Sequence, residues 1–424
     1  MATIRPFRGL RYSAKAGPME ALVAPPYDVL SPAERDVLAA RNPHNVVALT
    51  LPEQLPDDRS KYIKYARSAS RLEAWRQEGA LELDQPSFYR YRQSFTIPGH
   101  ADVLHRTALI ATIKVEPYEK GVVLPHEETF PKHKEDRLRI LEATRAHLEC
   151  IYGLFEDQDQ AVFKAINHSA ADQVIEVTTD DGVRHIVDRI SDPDACGALS
   201  QMLEEKKVWI ADGHHRYETA VAFRSMQGDK NGECAEDFMM MALSSIADPG
   251  LVLLPTHRIL KKLDLDAEAL KAKIAEQFDV EDCPNTQLMK AIEAVENAGG
   301  RAFGFALPGG TGFVAKVRDL KQLGDSIPGD ASDRLKQLDV TILHEVIFER
   351  LLGLTGLDFF NYTRDEEEAL AAVAQGSPAA ILMNPPTVED MRLVALGGEK
   401  MPQKSTFYYP KILSGLLVWS LGDF

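Results

Sequence analysis

Cysteine is scarce in this chain: four residues in 424. Cys150, Cys196, Cys234 and Cys283 lie far apart and show no C-x-x-C spacing. That excludes a disulfide framework and a zinc cluster, and it points to thiols of a reducing compartment. Long apolar runs are missing too, since no window approaches the ~18 apolar residues of a membrane span. The opening Met-Ala-Thr-Ile-Arg-Pro-Phe-Arg holds no apolar signal core, so a cytoplasmic protein is expected. Positive charge is in deficit: 48 Lys and Arg against 64 Asp and Glu give a net charge of −16. Such a surface repels nucleic acid and anionic membranes in general. Neither is therefore expected as a partner, and an anion site has to be a local positive pocket in a negative field. Repeats and low-complexity tracts are absent.

The apolar share of 45% and charged share of 26% are ordinary for a globular chain. At 424 residues the chain is too long for one core. The pattern predicts an α+β, mixed-sheet, multi-domain chain with segments at 1–115, 116–262 and 263–424. Phe7 to Tyr12 and Val46 to Leu51 look like strands. Ser31-Pro32-Ala33-Glu34 is a capping box that starts a helix, and a second helix spans about Lys61 to Gly79. Phe88 to Ile97 and Arg106 to Val115 form a hairpin through Pro98-Gly99.

The densest chemistry lies in Val208-Trp-Ile-Ala-Asp-Gly-His-His-Arg-Tyr-Glu-Thr-Ala220. A short apolar strand runs into Asp212-Gly213, and a helix begins at once. A strand–Gly–helix junction aims free N–H groups and the positive end of the helix dipole at one point. His214, His215 and Arg216 add cationic donors there, which makes a phosphate receptor. The bland alternative is an Asp212 helix cap beside solvated histidines.

Other clusters carry two readings each. Leu124-Pro-His126-Glu127-Glu128-Thr129 is a solvated acidic loop, or a strand-end carboxylate able to accept a hydroxyl proton or hold magnesium. Pro255-Thr-His257-Arg258 is a strand end or a site rim. Lys404-Ser405-Thr406 is no P-loop, because Gln403 stands where glycine is required. A lysine with two hydroxyls can still grip phosphate. His344-Glu345 lacks the second histidine of a zinc protease, and Pro308-Gly-Gly-Thr-Gly312 is a hairpin turn.

Several ordered motifs resemble a bacterial family known as domain of unknown function 1015 over essentially the whole chain. They are Arg5-Pro-Phe-Arg-Gly-Leu-Arg-Tyr, Pro25-Pro-Tyr-Asp, Asn42-Pro-His-Asn-Val, Leu124-Pro-His-Glu, Ala211-Asp-Gly-His-His-Arg-Tyr-Glu-Thr-Ala, Leu254-Pro-Thr-His-Arg and Met401-Pro-Gln-Lys-Ser-Thr-Phe-Tyr-Tyr-Pro-Lys. The middle segment is also similar to the ParB/sulfiredoxin-like superfamily, which includes the free serine kinases.

This second resemblance implies a ParB/sulfiredoxin-like domain at 116–262, with the segment 263–424 folding back on its site. It implies phosphate or nucleotide binding by Gly213, His214, His215 and Arg216, and the lysine and hydroxyls of Lys404, Ser405 and Thr406 are expected, on their own chemistry, to close that pocket. It implies catalytic roles for Glu127 as base, Asp212 and His214. His126, His257 and Arg258 would form a substrate rim, and Asp212 and Glu128 would hold Mg²⁺. Sulfiredoxin chemistry is excluded, because histidine stands where its cysteine is needed. A ParB role conflicts with the negative charge and the lack of a basic helix-turn-helix.

The expected activity is phosphoryl transfer between ATP or ADP and a small hydroxyl metabolite such as serine. The alternatives are a phosphoserine phosphatase or a nucleotide- or metabolite-sensing module without chemistry. The sequence is compatible with a homodimer.

Overall fold

The computed structural model describes residues 2–129, 131–228, 232–356, 358–402 and 404–424. The chain divides into two compact units. Unit one comprises Met1–Pro125, Thr129–Val252 and Pro410–Phe424, and unit two comprises His126–Glu128 and Leu253–Tyr409.

Among the described residues, unit one is built on a nine-stranded sheet. Its strands are β1 (Ile4–Arg5), β2 (Phe88–Thr96), β3 (Val103–Lys114), β4 (Val123–Leu124), β5 (Ile151–Phe155), β6 (Asp172–Thr178), β7 (Arg184–Ile190), β8 (Val208–Asp212) and β9 (Phe238–Ser245). Their order is β4-β8-β5-β9-β3-β2-β7-β6, with β1 pairing β3. The pairs β8–β4 and β9–β5 are parallel, whereas β8–β5, β9–β3 and β3–β2 are antiparallel, so the sheet is mixed. The α+β, mixed-sheet reading therefore holds.

The boundary expected at residue 115 does not. β3, before it, pairs with β9, after it, from Leu109↔Leu243 to Lys114↔Phe238, and cutting there would strip the sheet of its central ladder. Alternation along these strands sends Leu109, Ile151, Val208, Ile210 and Met241 into one buried cluster, as a period of two requires. The helix His214–Met226 adds Tyr217 and Ala220 to the same cluster.

Three short sequence signals set the periphery of unit one. Ser31 and Glu34 form the expected capping box at the start of Pro32–Arg41. The helix Ile63–Gln77 buries Tyr65, Leu72 and Trp75. Val46 to Leu51, expected as a strand, contains the helical turn Val47–Thr50 instead. The buried Asn45 Oδ1 accepts the Val47 N–H (3.1 Å) while its Nδ2 donates to Ala21 O (2.8 Å). That anchored turn overrides the β preference of the valines.

Unit two carries a six-stranded antiparallel sheet among its described residues. Its strands are β10 (His257–Leu260), β11 (Phe278–Pro284), β12 (Ala302–Ala306), β13 (Thr311–Val317), β14 (Phe360–Thr363) and β15 (Ala380–Leu382), in the order β11-β13-β12-β15-β10-β14. Leu288, Ile292, Val373 and Leu382 pack on it. The Gly-Gly-Thr-Gly turn joins β12 to β13 as a plain hairpin. All four cysteines are free. No helix among the described residues is long and apolar enough to cross a membrane.

Candidate functional site

β8 delivers Asp212 to the point where the chain turns at Gly213 (φ 95°) into the helix His214–Met226. Only glycine suits this point. Its φ is left-handed, and an added Cβ would stand 2.6 Å from Ile151 Cγ2 and 3.2 Å from Arg216 Nη2. No side chain caps the helix start, so the dipole end is left to other partners. His214 is buried and His215 half-buried.

Two cations flank the turn. Lys411 Nζ lies 2.8 Å from Asp212 Oδ2. Burial works against ionisation of Asp212, yet the Lys411 ammonium and the Arg216 guanidinium hold its carboxyl below the usual range. Arg216 Nη1 donates to Cys150 O (2.7 Å), while its buried Nε has no partner. Burial opposes the charge of Arg216 as well, but Glu149, Asp212 and Asp28 together push its pKa up.

The Pro25-Pro-Tyr-Asp and Tyr-Tyr-Pro-Lys motifs meet beside this turn. Ala24 and Ser414 exchange backbone hydrogen bonds of 3.1 and 2.8 Å. Arg137 lies 3.9 Å and Arg216 5.8 Å from the centre of the Tyr27 ring. Glu149 Oε1 accepts from Tyr27 N (3.2 Å) and Ser414 Oγ (2.8 Å). Sequence reasoning gave no role to Lys411, Tyr27 or Glu149. Their only signal was that Tyr27 and Lys411 lie inside ordered motifs.

The second set of expected residues gathers within unit two. The Glu127 carboxylate accepts the Lys404 N–H, and Lys404 has a left-handed backbone (φ 58°), unusual for a side-chain-bearing residue. Lys404 O accepts from Arg258 Nη2 (3.3 Å). His126 is fully buried, with Nε2 2.9 Å from Thr406 Oγ1.

Ser405 was expected to face a phosphate. It is instead buried and donates to Pro402 O, so its hydroxyl serves the loop. The rim expected at His257 and Arg258 is likewise corrected. Both begin β10 and are 1% exposed. Burial brings the His257 pKa down to about 4, and its Nδ1 accepts from Met383 N (3.3 Å). Glu128 is exposed.

The proposed magnesium pair does not fit this arrangement. A lysine ammonium already occupies Asp212. Among the described residues no cluster of three or more His, Cys, Asp or Glu could hold a metal.

Comparisons with known proteins complete the picture. Among solved structures, a free serine kinase mutant in complex with ADP is 14% identical, with a TM-score of 0.36, and the match covers 72% of this chain and 91% of that one. A conserved hypothetical protein from Pyrococcus furiosus is 15% identical, with a TM-score of 0.35 and coverage of 72% and 94%. SbnI with a C-terminal truncation, from Staphylococcus aureus, is 11% identical, with a TM-score of 0.36 and coverage of 73% and 86%. These are distant likenesses. No curated protein matches the chain. The profile of the family described as "Protein of unknown function (DUF1015)" matches residues 4–341, and the chain belongs to that family.

Proposed function

We propose that the chain is a phosphotransferase that moves a phosphoryl group between a nucleotide and a small hydroxyl compound such as serine, on a ParB/sulfiredoxin-like framework. The observation that carries this reading is the turn Asp212–Arg216. An uncapped helix start, a glycine with no room for a Cβ and the two cations Lys411 and Arg216 converge there. Backbone donors and fixed positive charge are what phosphoryl transfer asks of a protein, because that chemistry consists mainly of positioning and charge neutralisation. In the transfer, the substrate oxygen bonds to phosphorus, the bond to the nucleotide's leaving oxygen breaks, and the hydroxyl proton passes to a carboxylate. The resemblance of the Leu124-Pro-His-Glu motif gives that last task to Glu127, and gives phosphate contact to Gly213, His214, His215 and Arg216.

A second reading, a nucleotide- or metabolite-binding module without chemistry, is favoured by one observation. The key side chains are already engaged: Asp212 by Lys411, Arg216 by Cys150 O and Glu127 by the Lys404 N–H. The two readings separate in one assay. The purified chain is incubated with serine, magnesium and ATP or ADP, and separately with phosphoserine, and phosphoserine and phosphate are followed. Turnover lost in Glu127→Gln with nucleotide binding retained is the expected result. Binding without turnover in either direction leaves the sensing module. Neither binding nor turnover ends both.

A further inference from the structure

A cleft of about 450 Å³ opens within unit one. Its volume lies in the range of small-molecule sites, which are mostly apolar with a few convergent polar groups. Pro25, Pro26, Leu30, Val37 and Leu38 supply apolar wall. Thr178 to Asp181, at the turn between β6 and β7, bring hydroxyls and carboxylates, and Glu20, Glu34, Arg41 and Lys411 add charged groups to the lining. Lys411 is the same residue whose ammonium holds Asp212 at 2.8 Å. The cleft and the phosphate-receptor turn therefore share a side chain.

The fold fixes the parts of this cleft. The helix Pro32–Arg41 is started by its capping box, and its last residue, Arg41, reaches Asp180 at 2.6 Å. That pair is partly exposed, with side chains 35% and 78% accessible, so it can part at little cost. His185 lines the cleft too, with Nδ1 2.6 Å from Tyr91 OH and Nε2 3.2 Å from Thr179 Oγ1. Burial lowers its pKa to about 4, so the imidazole is neutral near pH 7 and adds no charge beside an uncharged ligand ring.

We propose that this cleft receives the nucleoside part of a nucleotide whose phosphates occupy the Asp212–Arg216 turn, the base lying against Pro25, Pro26 and Val37. The proposal rests on the phosphate reading of that turn. A free phosphate or a small hydroxy acid has no apolar surface to match such walls, whereas a flat, weakly polar ring does. The Asp180 and Asp181 carboxylates offer hydrogen-bond acceptors, which suit a base with an exocyclic amine.

The test is calorimetric titration of the full chain with ADP, adenosine and pyrophosphate. Ala33→Trp and Val37→Glu are the variants; both positions are exposed and line the cleft, Val37 at 59% exposure. The expected result is that each variant weakens ADP and adenosine by at least about tenfold and leaves pyrophosphate unchanged. Equal affinity for ADP and pyrophosphate, both insensitive to the variants, overturns the cleft and keeps the turn. Adenosine binding that the variants abolish, with no pyrophosphate binding, supports the cleft and overturns the phosphate reading of the turn. Silence from all three probes overturns both.

Discussion

Arg216 in unit one and Arg258 in unit two are two sheltered arginines with opposite surroundings. Arg216 is ringed by acidic groups, and Glu149, Asp212 and Asp28 outweigh the effect of burial and raise its pKa. Arg258 is deeper, at 1% exposure. Its hydrogen-bond partners are the Thr256 and Lys404 carbonyls, the Met383 thioether and the His344 imidazole. Burial brings its pKa down to about 10. The first cation is compensated where it stands, and removing it leaves anions behind. The second has no carboxylate among those hydrogen-bond partners, and Glu127 only moderates the effect of burial on it. Motif spacing does not distinguish the two, because both read as an arginine following a histidine at a strand–loop junction.

The largest expected effect breaks this comparison directly. Arg216→Met removes one of the cations that compensate Glu149 and Asp212 and should cost about 2–3 kcal/mol in urea denaturation, whereas Arg258→Met should cost about 1 kcal/mol or less. The reverse order of the two variants would refute the contrast. Next comes the backbone. Gly213→Ala forces a Cβ against Ile151 at a left-handed φ and should lose about 2 kcal/mol. Lys404→Gly, which relieves a left-handed residue that carries a side chain, should change stability by less than about 1 kcal/mol in the same measurement.

A smaller effect concerns acid. The Asp212 pKa is held below its unfolded value. Its pairing therefore stabilises the fold above that unfolded value and is lost as pH falls through the folded one. Lys411→Met should flatten the acid limb of the stability profile below about pH 4.

The smallest effect concerns histidine. Burial lowers His147 and His185 in unit one to about 4, and in unit two it lowers His257 to about 4 and His344 to about 3. A depressed histidine makes the folded state resist protonation, so stability falls as pH drops from about 6.5 toward 4. His257→Gln should recover about 1 kcal/mol of that loss, measured as the change in stability between the two pH values.

Local signals were legible wherever one stretch of chain decides the outcome. The capping box at Ser31, the hairpin of β2 and β3 and the β8–Gly213–helix junction all follow from turn chemistry and periodicity. The β strand expected at Val46 failed because a buried asparagine side chain, held by Ala21 O, nucleates a turn there. The partners of the site were hidden for a different reason. Lys411 is 199 residues from Asp212, and Lys404 is 277 residues from Glu127. No window of sequence contains both members of either pair. The motifs marked Tyr27 and Lys411 as belonging to something, and only tertiary structure supplied what they touch.

The 199-residue gap between Asp212 and Lys411 also sets an order of events on the ribosome. The carboxylate emerges first and waits through the synthesis of nearly all of unit two before its ammonium arrives, so the nascent turn spends that interval without the lysine that pairs with Asp212. Any nascent or clipped chain ending before residue 410 lacks Lys411 altogether. Final assembly of the pocket is thereby tied to translation running through the tail, and a truncated product cannot counterfeit the finished one.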